Sequence, residues 1–280
     1  MPLRSKNRLL SLDQPMVMGI LNVTPDSFFK DSRVSENDFV QRAGQMLNDG
    51  ASILDIGGQS TRPGAIQVGE QEELNRVLPA IESIRNEYPE AWLSIDTYHA
   101  KVARAAVLAG ADIVNDISAG LDDDHMLETV AHLQVPYIAM HKKGAIQNMQ
   151  FNPQYVNPTK EVLEFFIKHL ELIKSHGIMD CVIDPGFGFG KTTAQNYQIL
   201  NELQAFNIFS EPLLIGISRK SMIYKALNTN PENALNGSTF LHAIALQKGA
   251  KILRVHDVKE ALECVSLFTL LQNAHFKENA

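Results

Sequence analysis

The sequence predicts an α/β protein in which eight parallel strands close into a (β/α)8 TIM barrel. Eight short runs rich in Ile, Val and Leu begin at residues 16, 52, 92, 113, 136, 181, 213 and 252, with helical patterns between them. Near-continuous apolar runs of this length are how strands covered on both faces of a parallel sheet read. The turn after the first run is Asn22-Val23-Thr24-Pro25-Asp26, without the glycine-rich turn of a doubly wound open sheet. The 280 residues suit one domain over 1–280 with the barrel proper at about 16–272, since such barrels use roughly 250 residues. No repeat, low-complexity tract or linker divides the chain.

Taken in order, the first strand carries Asn22, and the pattern 36–48 before Gly50 reads as a helix with a glycine stop. Strand 52–58 follows, then a helix over 71–87 with Leu74, Val77, Leu78, Ile81 and Ile84 on one face. Strand 92–97 carries Asp96, and helix 101–109 ends at Gly110. Strand 113–119 carries Asn115, and strand 136–141 closes on His141, which could be structural there. Helix 159–175 ends at Gly177, and strand 181–186 carries Asp184. Strand 213–218 runs into Arg219 and Lys220 and then a helix. Helix 241–247 ends at Gly249, strand 252–257 carries Arg254 and His256, and helix 259–271 closes the barrel. A polar group left unpaired in an apolar strand costs roughly 2–7 kcal/mol. Polar residues at one end of strand after strand therefore predict a polar pocket at the C-terminal end of the barrel, where this fold keeps its active sites.

Charge and composition exclude several partners. A net charge of −7 and 45% hydrophobic residues describe an acidic globular protein, not one built for nucleic acid or a membrane surface. No apolar run approaches the ~18 residues of a membrane span, and the first residues lack the apolar stretch of a signal peptide. Cys181 and Cys264 are far apart and fit a reducing cytoplasm as core residues.

Each motif has a plain structural reading beside the chemical one. Asp184-Pro185-Gly186-Phe187-Gly188-Phe189-Gly190-Lys191-Thr192 is not a Walker phosphate loop, because Pro185 stands where the first glycine belongs. It reads as a flexible, closely approaching backbone with two aromatic rings. Gly216-Ile217-Ser218-Arg219-Lys220-Ser221 either caps a helix beside two solvated cations or forms an anion site. Arg254 and His256 add charge after strand eight, and the loops after strands seven and eight are the usual phosphate site of this barrel. Asn115-Asp116 suits a turn and Asp96-Thr97 a helix cap, yet Asn22, Asp96, Asn115 and Asp184 together point to one pocket. The nine histidines show no ligand spacing, so a zinc site made by the protein alone is not expected.

In order and spacing these motifs resemble the dihydropteroate synthase family. Met18-Gly19-Ile20-Leu21-Asn22-Val23-Thr24-Pro25-Asp26-Ser27-Phe28 looks like its first signature, and Asp55-Ile56-Gly57-Gly58-Gln59-Ser60-Thr61-Arg62-Pro63-Gly64 like its second. Ser94-Ile95-Asp96-Thr97, Val114-Asn115-Asp116, the Asp184–Lys191 stretch, Ser218-Arg219-Lys220-Ser221 and Arg254-Val255-His256-Asp257 continue the match from about 16 to 270. The chain departs from the family pattern at Lys30-Asp31-Ser32-Arg33, at Gln59 where glutamate is usual, and at the basic Lys142-Lys143-Gly144-Ala145.

The resemblance implies condensation of 6-hydroxymethyl-7,8-dihydropterin diphosphate with 4-aminobenzoate, giving 7,8-dihydropteroate and diphosphate. It implies a pterin site of Asp96, Asn115, Ile117, Met140, Asp184, Gly216 and Lys220, and a diphosphate site of Asn22, Arg254 and His256 with Mg²⁺ on Asn22. It implies a 4-aminobenzoate site of Phe28, Thr61, Arg62, Pro63, Phe189 and Ser221, with Asp96, Lys220 and Arg62 as the catalytic groups. A cytoplasmic homodimer that sulfonamides target is the family expectation. Two rivals remain: a methyltransferase using a folate on a similar barrel, which has no need of the Ser-Thr-Arg-Pro loop, and a pterin-binding protein without catalysis.

Overall fold

The computed structural model describes residues 2–23, 36–59, 67–146 and 148–274. Eight strands form a closed, all-parallel barrel: β3 (Met16–Asn22), β4 (Ile53–Gly57), β5 (Trp92–Asp96), β6 (Ile113–Asp116), β7 (Tyr137–Met140), β8 (Cys181–Asp184), β9 (Leu213–Ile215) and β10 (Ala250–Val255), with β10 paired to β3. Helices α1 (Glu36–Asn48), α2 (Glu70–Glu87), α3 (Ala100–Ala109), α4 (Met126–Leu133), α5 (Pro158–Ser175), α6 (Thr193–Asn201), α7 (Ser221–Ala226), α8 (Leu235–Gln247) and α9 (Val258–Gln272) lie between and after them. The expected barrel is the observed one. Three elements were not anticipated: α4, α6 and a hairpin of β1 (Leu3–Ser5) and β2 (Arg8–Leu10).

The strands look uniformly apolar in sequence but alternate in space, because successive side chains of a strand face opposite sides. One set, including Val17, Leu54, Leu93, Val114, Ile183 and Leu253, packs under the helices. The other set fills the barrel: Met16, Met18, Ile53, Trp92, Ile113, Ile138, Val182, Leu214 and Ile252 form a dry floor. Leu3, Leu10 and Leu12 from the hairpin segment pack against that floor and close its N-terminal mouth. Arg8 fastens the hairpin, donating to Asp112 Oδ1 at 2.9 Å with its guanidinium 4.7 Å over the Trp92 ring.

The polar residues stand two positions beyond the floor, on the same inward-facing set. Asp55 follows Ile53, Asn115 follows Ile113, Asp184 follows Val182, Gly216 follows Leu214 and Arg254 follows Ile252. The register Asn22↔Gly57↔Asp96↔Asn115 carries Asn22 and Asp96 to the same level of the barrel. A ring of charge therefore sits directly on an apolar plug.

Candidate active site

Arg254 is the hub of this ring. Its Nε donates to Asp55 Oδ2 at 2.6 Å and its Nη2 to Asp96 Oδ2 at 2.5 Å. Asn115 Nδ2 donates to the same Asp55 oxygen at 3.0 Å, which turns the amide oxygen of Asn115 away from Asp55. Asp55 is fully buried, and sequence reasoning passed over it because it lies inside a strand and not at the end. The available signal was a carboxylate two residues after an interior isoleucine, in register with Ile20.

Asp184 and Lys220 complete the cluster. Asp184 is buried, and its Oδ1 accepts from Gly186 N at 2.8 Å. Lys220 Nζ donates to Phe187 O at 2.5 Å and lies 4.6 Å over the Phe189 ring. Gly216 marks where the groups converge: a Cβ there would lie 3.8 Å from Lys220 Nζ and 3.9 Å from both Asp184 Oδ2 and Arg254 Cβ. Gly57 marks a second meeting point, since a Cβ there would lie 3.4 Å from Asn22 Oδ1 and 3.7 Å from Asp96 Oδ2.

Three carboxylates, Asp55, Asp96 and Asp184, thus face two cations, Arg254 and Lys220. Burial, more than the charge balance, sets their proton affinities. Burial pushes the Asp96 carboxyl up to about 7; Arg254 opposes that shift while Asp55 adds to it. Burial also raises Asp184, against Lys220. It lowers the Lys220 ammonium to about 8, with Asp184 opposing. Burial works against the Arg254 guanidinium too, but Asp55 and Asp96 outweigh it and hold its pKa above the ordinary arginine value. Arg254 was expected to serve an anion; here its charge is already shared between two carboxylates.

The walls are the expected ones with additions. Ile117, Met140 and Phe189 form one small apolar cluster, joined by Met149 and by the partly buried Tyr98 and Ile146. Ser218 bridges toward the rim: His256 N donates to Ser218 Oγ at 3.2 Å, and Ser218 Oγ lies 3.1 Å from His256 Nδ1. Phe28, Thr61, Arg62 and Pro63 lie outside the described residues.

Several expectations are corrected. The glycine stretch after β8 is tied down, not flexible. Lys191, buried and missed as a site residue, donates from Nζ to the carbonyls of His141 at 3.2 Å, Gly186 at 2.9 Å and Phe189 at 3.1 Å. Burial lowers that ammonium to about 7. Gly186 has φ +69, and a Cβ on it would come 1.9 Å from His141 O, so no side chain fits. Ser221 does not cap α7: Lys220 is the N-cap, without a side-chain cap bond, and Ser221 is the first helical residue. Arg219 is not a solvated cation, for it grips Asp257 at 2.8 and 2.7 Å and two carbonyls near Pro231. Asp96 does not cap α3, whose first N–H is taken by Asp123 Oδ2 at 2.7 Å. Asp116, in contrast, is the turn residue foreseen, accepting from Ser118 N and Oγ, Gly120 N and Tyr137 Oη, each at 2.7 Å.

Two of the three departures find their places, while Lys30-Asp31-Ser32-Arg33 lies outside the described residues. Lys142 pairs with Asp122 at 2.9 Å and Lys143 with Glu161 at 2.8 Å, so the basic segment is internally neutralised. Gln59 Oε1 accepts from Tyr98 Oη at 2.9 Å. His141 is structural as expected: buried, its ring 5.0 Å from the ring of Phe165, and held neutral because burial lowers its pKa well below the usual value.

A barrel whose C-terminal mouth presents three carboxylates, an amide, a lysine and an apolar wall suits a planar, polar-edged heterocycle. Residues 18–256 match the family described as pterin binding enzymes. The chain is 43% identical over 282 residues to the dihydropteroate synthase of Escherichia coli (strain K12), covering 100% of this chain and 99% of the relative. The Yersinia pestis dihydropteroate synthase, solved with a sulfonamide drug complex, superposes with a TM-score of 0.92 at 42% identity over 98% of this chain and 100% of that one. The Xanthomonas albilineans enzyme, solved with 4-aminobenzoic acid, gives 0.92 at 39% identity over 98% and 99%. The chain belongs to the dihydropteroate synthase family. Its reaction is the family's, the synthesis of dihydropteroate in folate biosynthesis.

Proposed function

We propose that the chain catalyses this condensation by a dissociative substitution at the pterin methylene, with the residue roles that follow. The observation that carries the proposal is the convergence of Asp184, Lys220 and Arg254 on Gly216 above the apolar floor. The pterin's 2-amino group and adjacent ring N–H form a guanidine-like edge. Asp184 accepts both through a charge-assisted pair, and because Oδ1 already holds Gly186 N, Oδ2 is the freer oxygen. Asn115, its Nδ2 committed to Asp55, offers its amide oxygen to a ring N–H. Lys220 donates to the pterin carbonyl, and Ile117, Met140 and Phe189 sandwich the ring beside the bare edge of Gly216.

Departure of diphosphate leaves positive charge on the methylene and ring. Asp96 stabilises that charge; fixed electrostatics of this kind do the work in such transition states. Arg254, although already paired with Asp55 and Asp96, and His256 at the rim complete the proposed leaving-group site. A family magnesium ion would be held by Asn22, whose amide oxygen stands at the strand end with the Asp96 carboxylate near the same bare edge of Gly57. Magnesium commonly takes one or two protein oxygens plus substrate phosphates. When bound it supplies charge neutralisation of the diphosphate. The carboxylate of 4-aminobenzoate is recognised at Ser221 on the α7 start, with Phe189 and the sequence-assigned Phe28, Thr61, Arg62 and Pro63 as the residues for its ring; exclusion of water there prevents capture of the cation. Arg62 is the catalytic group among those residues.

Sulfonamides, as 4-aminobenzoate mimics, compete for the same place. We place the protein in the cytoplasm; among the described residues no helix is long and apolar enough to cross a membrane. It acts as a homodimer through α8 and α9, which pack together and leave Phe240, Leu267, Leu270 and Leu271 exposed. Sedimentation at 31.1 kDa, the mass of one chain, would remove the dimer.

The test is diphosphate release from the pterin substrate, measured with and without 4-aminobenzoate, Mg²⁺ and a sulfonamide. Release that needs both 4-aminobenzoate and Mg²⁺, and falls with the sulfonamide, is expected. Release indifferent to 4-aminobenzoate, or none at all, would favour one of the rival readings.

The same assay run against pH reads the buried charges. Asp96 must be ionised and Lys220 protonated. In the free enzyme kcat/KM is therefore expected to fall below about pH 7 as Asp96 takes a proton, and above about pH 8 as Lys220 loses one. The acid limb belongs to the coupled carboxylates as a group. Asp96→Asn should lower activity and flatten that limb; an unchanged limb assigns it elsewhere.

A further inference from the structure

Beyond the substrate-facing groups, three elements bring a histidine and two carboxylates together at the rim. Ligand atoms of Glu70, His99 and Asp123 all lie within 4.8 Å of one another, and all three residues are partly exposed. Glu70 opens α2, His99 is the N-cap of α3, and Asp123 lies in the turn between β6 and α4. We propose that Glu70, His99 and Asp123 bind a divalent transition-metal ion of the zinc class, separate from the magnesium of the reaction.

The arrangement around His99 is that of a prepared ligand. Its Nδ1 lies 4.0 Å from Glu70 Oε1, on the side of the cluster. Its Nε2 lies 3.9 Å from Glu73 Oε2, on the other side. Glu73 is 1% exposed, with the Thr97 side chain as the nearby donor to its carboxylate, and His99 Nε2 has no hydrogen-bond partner. A metal-bound histidine usually offers its second N–H to a carboxylate, which fixes the tautomer and strengthens the ligand. Glu73 stands where that carboxylate belongs, and metal on Nδ1 places the proton on Nε2, facing it. The Tyr98 ring, 4.4 Å away by centroid and itself bonded to Gln59, supports the imidazole.

The carboxylates suit the role. Asp123 is pre-oriented by two backbone donors, Ala100 N to Oδ2 at 2.7 Å and His125 N to Oδ1 at 3.0 Å, and each oxygen keeps a lone pair. The nearest competing cation, Lys101, is 3.8 Å from Glu70 Oε2, an exposed pair of small worth. An open cleft lined by Gln67, Val68, Gly69, Tyr98 and His99 gives an ion access and room for water. One imidazole, two carboxylates and water make the donor set of zinc, cobalt or nickel, whereas magnesium takes oxygen. No sequence signature announces the group, because each ligand comes from a different element; the expectation of no protein-made zinc site is revised on this geometry.

Calorimetric titration of the EDTA-treated full chain with zinc chloride tests the proposal, in excess Mg²⁺ and without substrates. One saturable zinc per chain is expected, weakened at least tenfold by His99→Gln and separately by Glu70→Gln. Both positions are part-exposed, so the variants should fold, which circular dichroism checks. Glu73→Gln, which keeps size and touches the metal only through His99, should weaken binding about 10- to 100-fold. Absence of saturable binding overturns the site. So does zinc uptake that neither His99→Gln nor Glu70→Gln reduces, since that uptake resides elsewhere, for instance on the buried thiols of Cys181 and Cys264.

Discussion

Asp184→Asn is expected to lose about 2–4 kcal/mol of pterin affinity, roughly 30- to 1,000-fold in Kd. The substitution keeps shape and removes charge. One of the two pterin hydrogen bonds becomes donor against donor, and the other loses its charge assistance. The amide oxygen can still accept from Gly186 N, now at 2.8 Å from Oδ1, so the turn after β8 survives. Removing the carboxylate also leaves Lys220 without the anion that most opposes its loss of a proton, so its pKa should fall further. Calorimetry with a pterin ligand on folded variant protein decides the matter. Near-native affinity would show that Asp184 serves Gly186 alone and that the pterin lies in another orientation.

Asp116→Ala is expected to have the largest effect on stability, about 3–5 kcal/mol, which for a chain of this size is roughly 6–15 °C in Tm. Asp116 is fully buried and satisfies four donors at 2.7 Å. Burial raises its carboxyl pKa, while the bonds from Ser118, Tyr137 and Gly120 oppose that shift, so the contacts themselves are what keep the charge tolerable. Alanine leaves the Tyr137 hydroxyl and two backbone N–H groups inside the barrel wall, and each orphan of that kind costs about 1–3 kcal/mol. The neighbouring Asn115 faces the opposite side of the strand, into the site, so Asn115→Ala should instead spare the fold and weaken the pterin. A thermal melt of both variants separates the roles, and equal Tm losses would contradict the assignment.

The strands are legible because burial on both faces leaves few polar residues in them, and those at the strand ends stand out. That rule found Asn22, Asp96, Asn115, Asp184 and Arg254. It missed Asp55, because a carboxylate in mid-strand has no position signal, only its partners, and those come from β6 and β10. The helix over Thr193–Asn201 was hidden by polar composition, although Thr192 and Gln195 form a reciprocal capping box that the sequence spells out. The hairpin of β1 and β2 is three residues per strand, too short for any periodicity. Lys191 was weighed only as a phosphate ligand; that its charge ends on three carbonyls is a tertiary fact. Arg219 reads in sequence as either solvated or anion-binding, because its partner Asp257 lies beyond α7, α8 and β10 in the chain.

The hub at Arg254 bears on how a lineage could evade an inhibitor. A compound confined to the pterin half of the cavity meets Asp96 and Asn115, which Arg254 and the buried Asp55 hold in place. A substitution there that repels the compound also strands a charge inside the barrel, and the loss of one partner from a buried pair is worth about 3–5 kcal/mol of stability. The same change removes a contact the natural substrate needs. At Gly186 any side chain at all runs into His141 O. Selection against such a compound finds few single-residue escapes on these strands, and is pushed toward making more of the enzyme or toward positions away from the pterin.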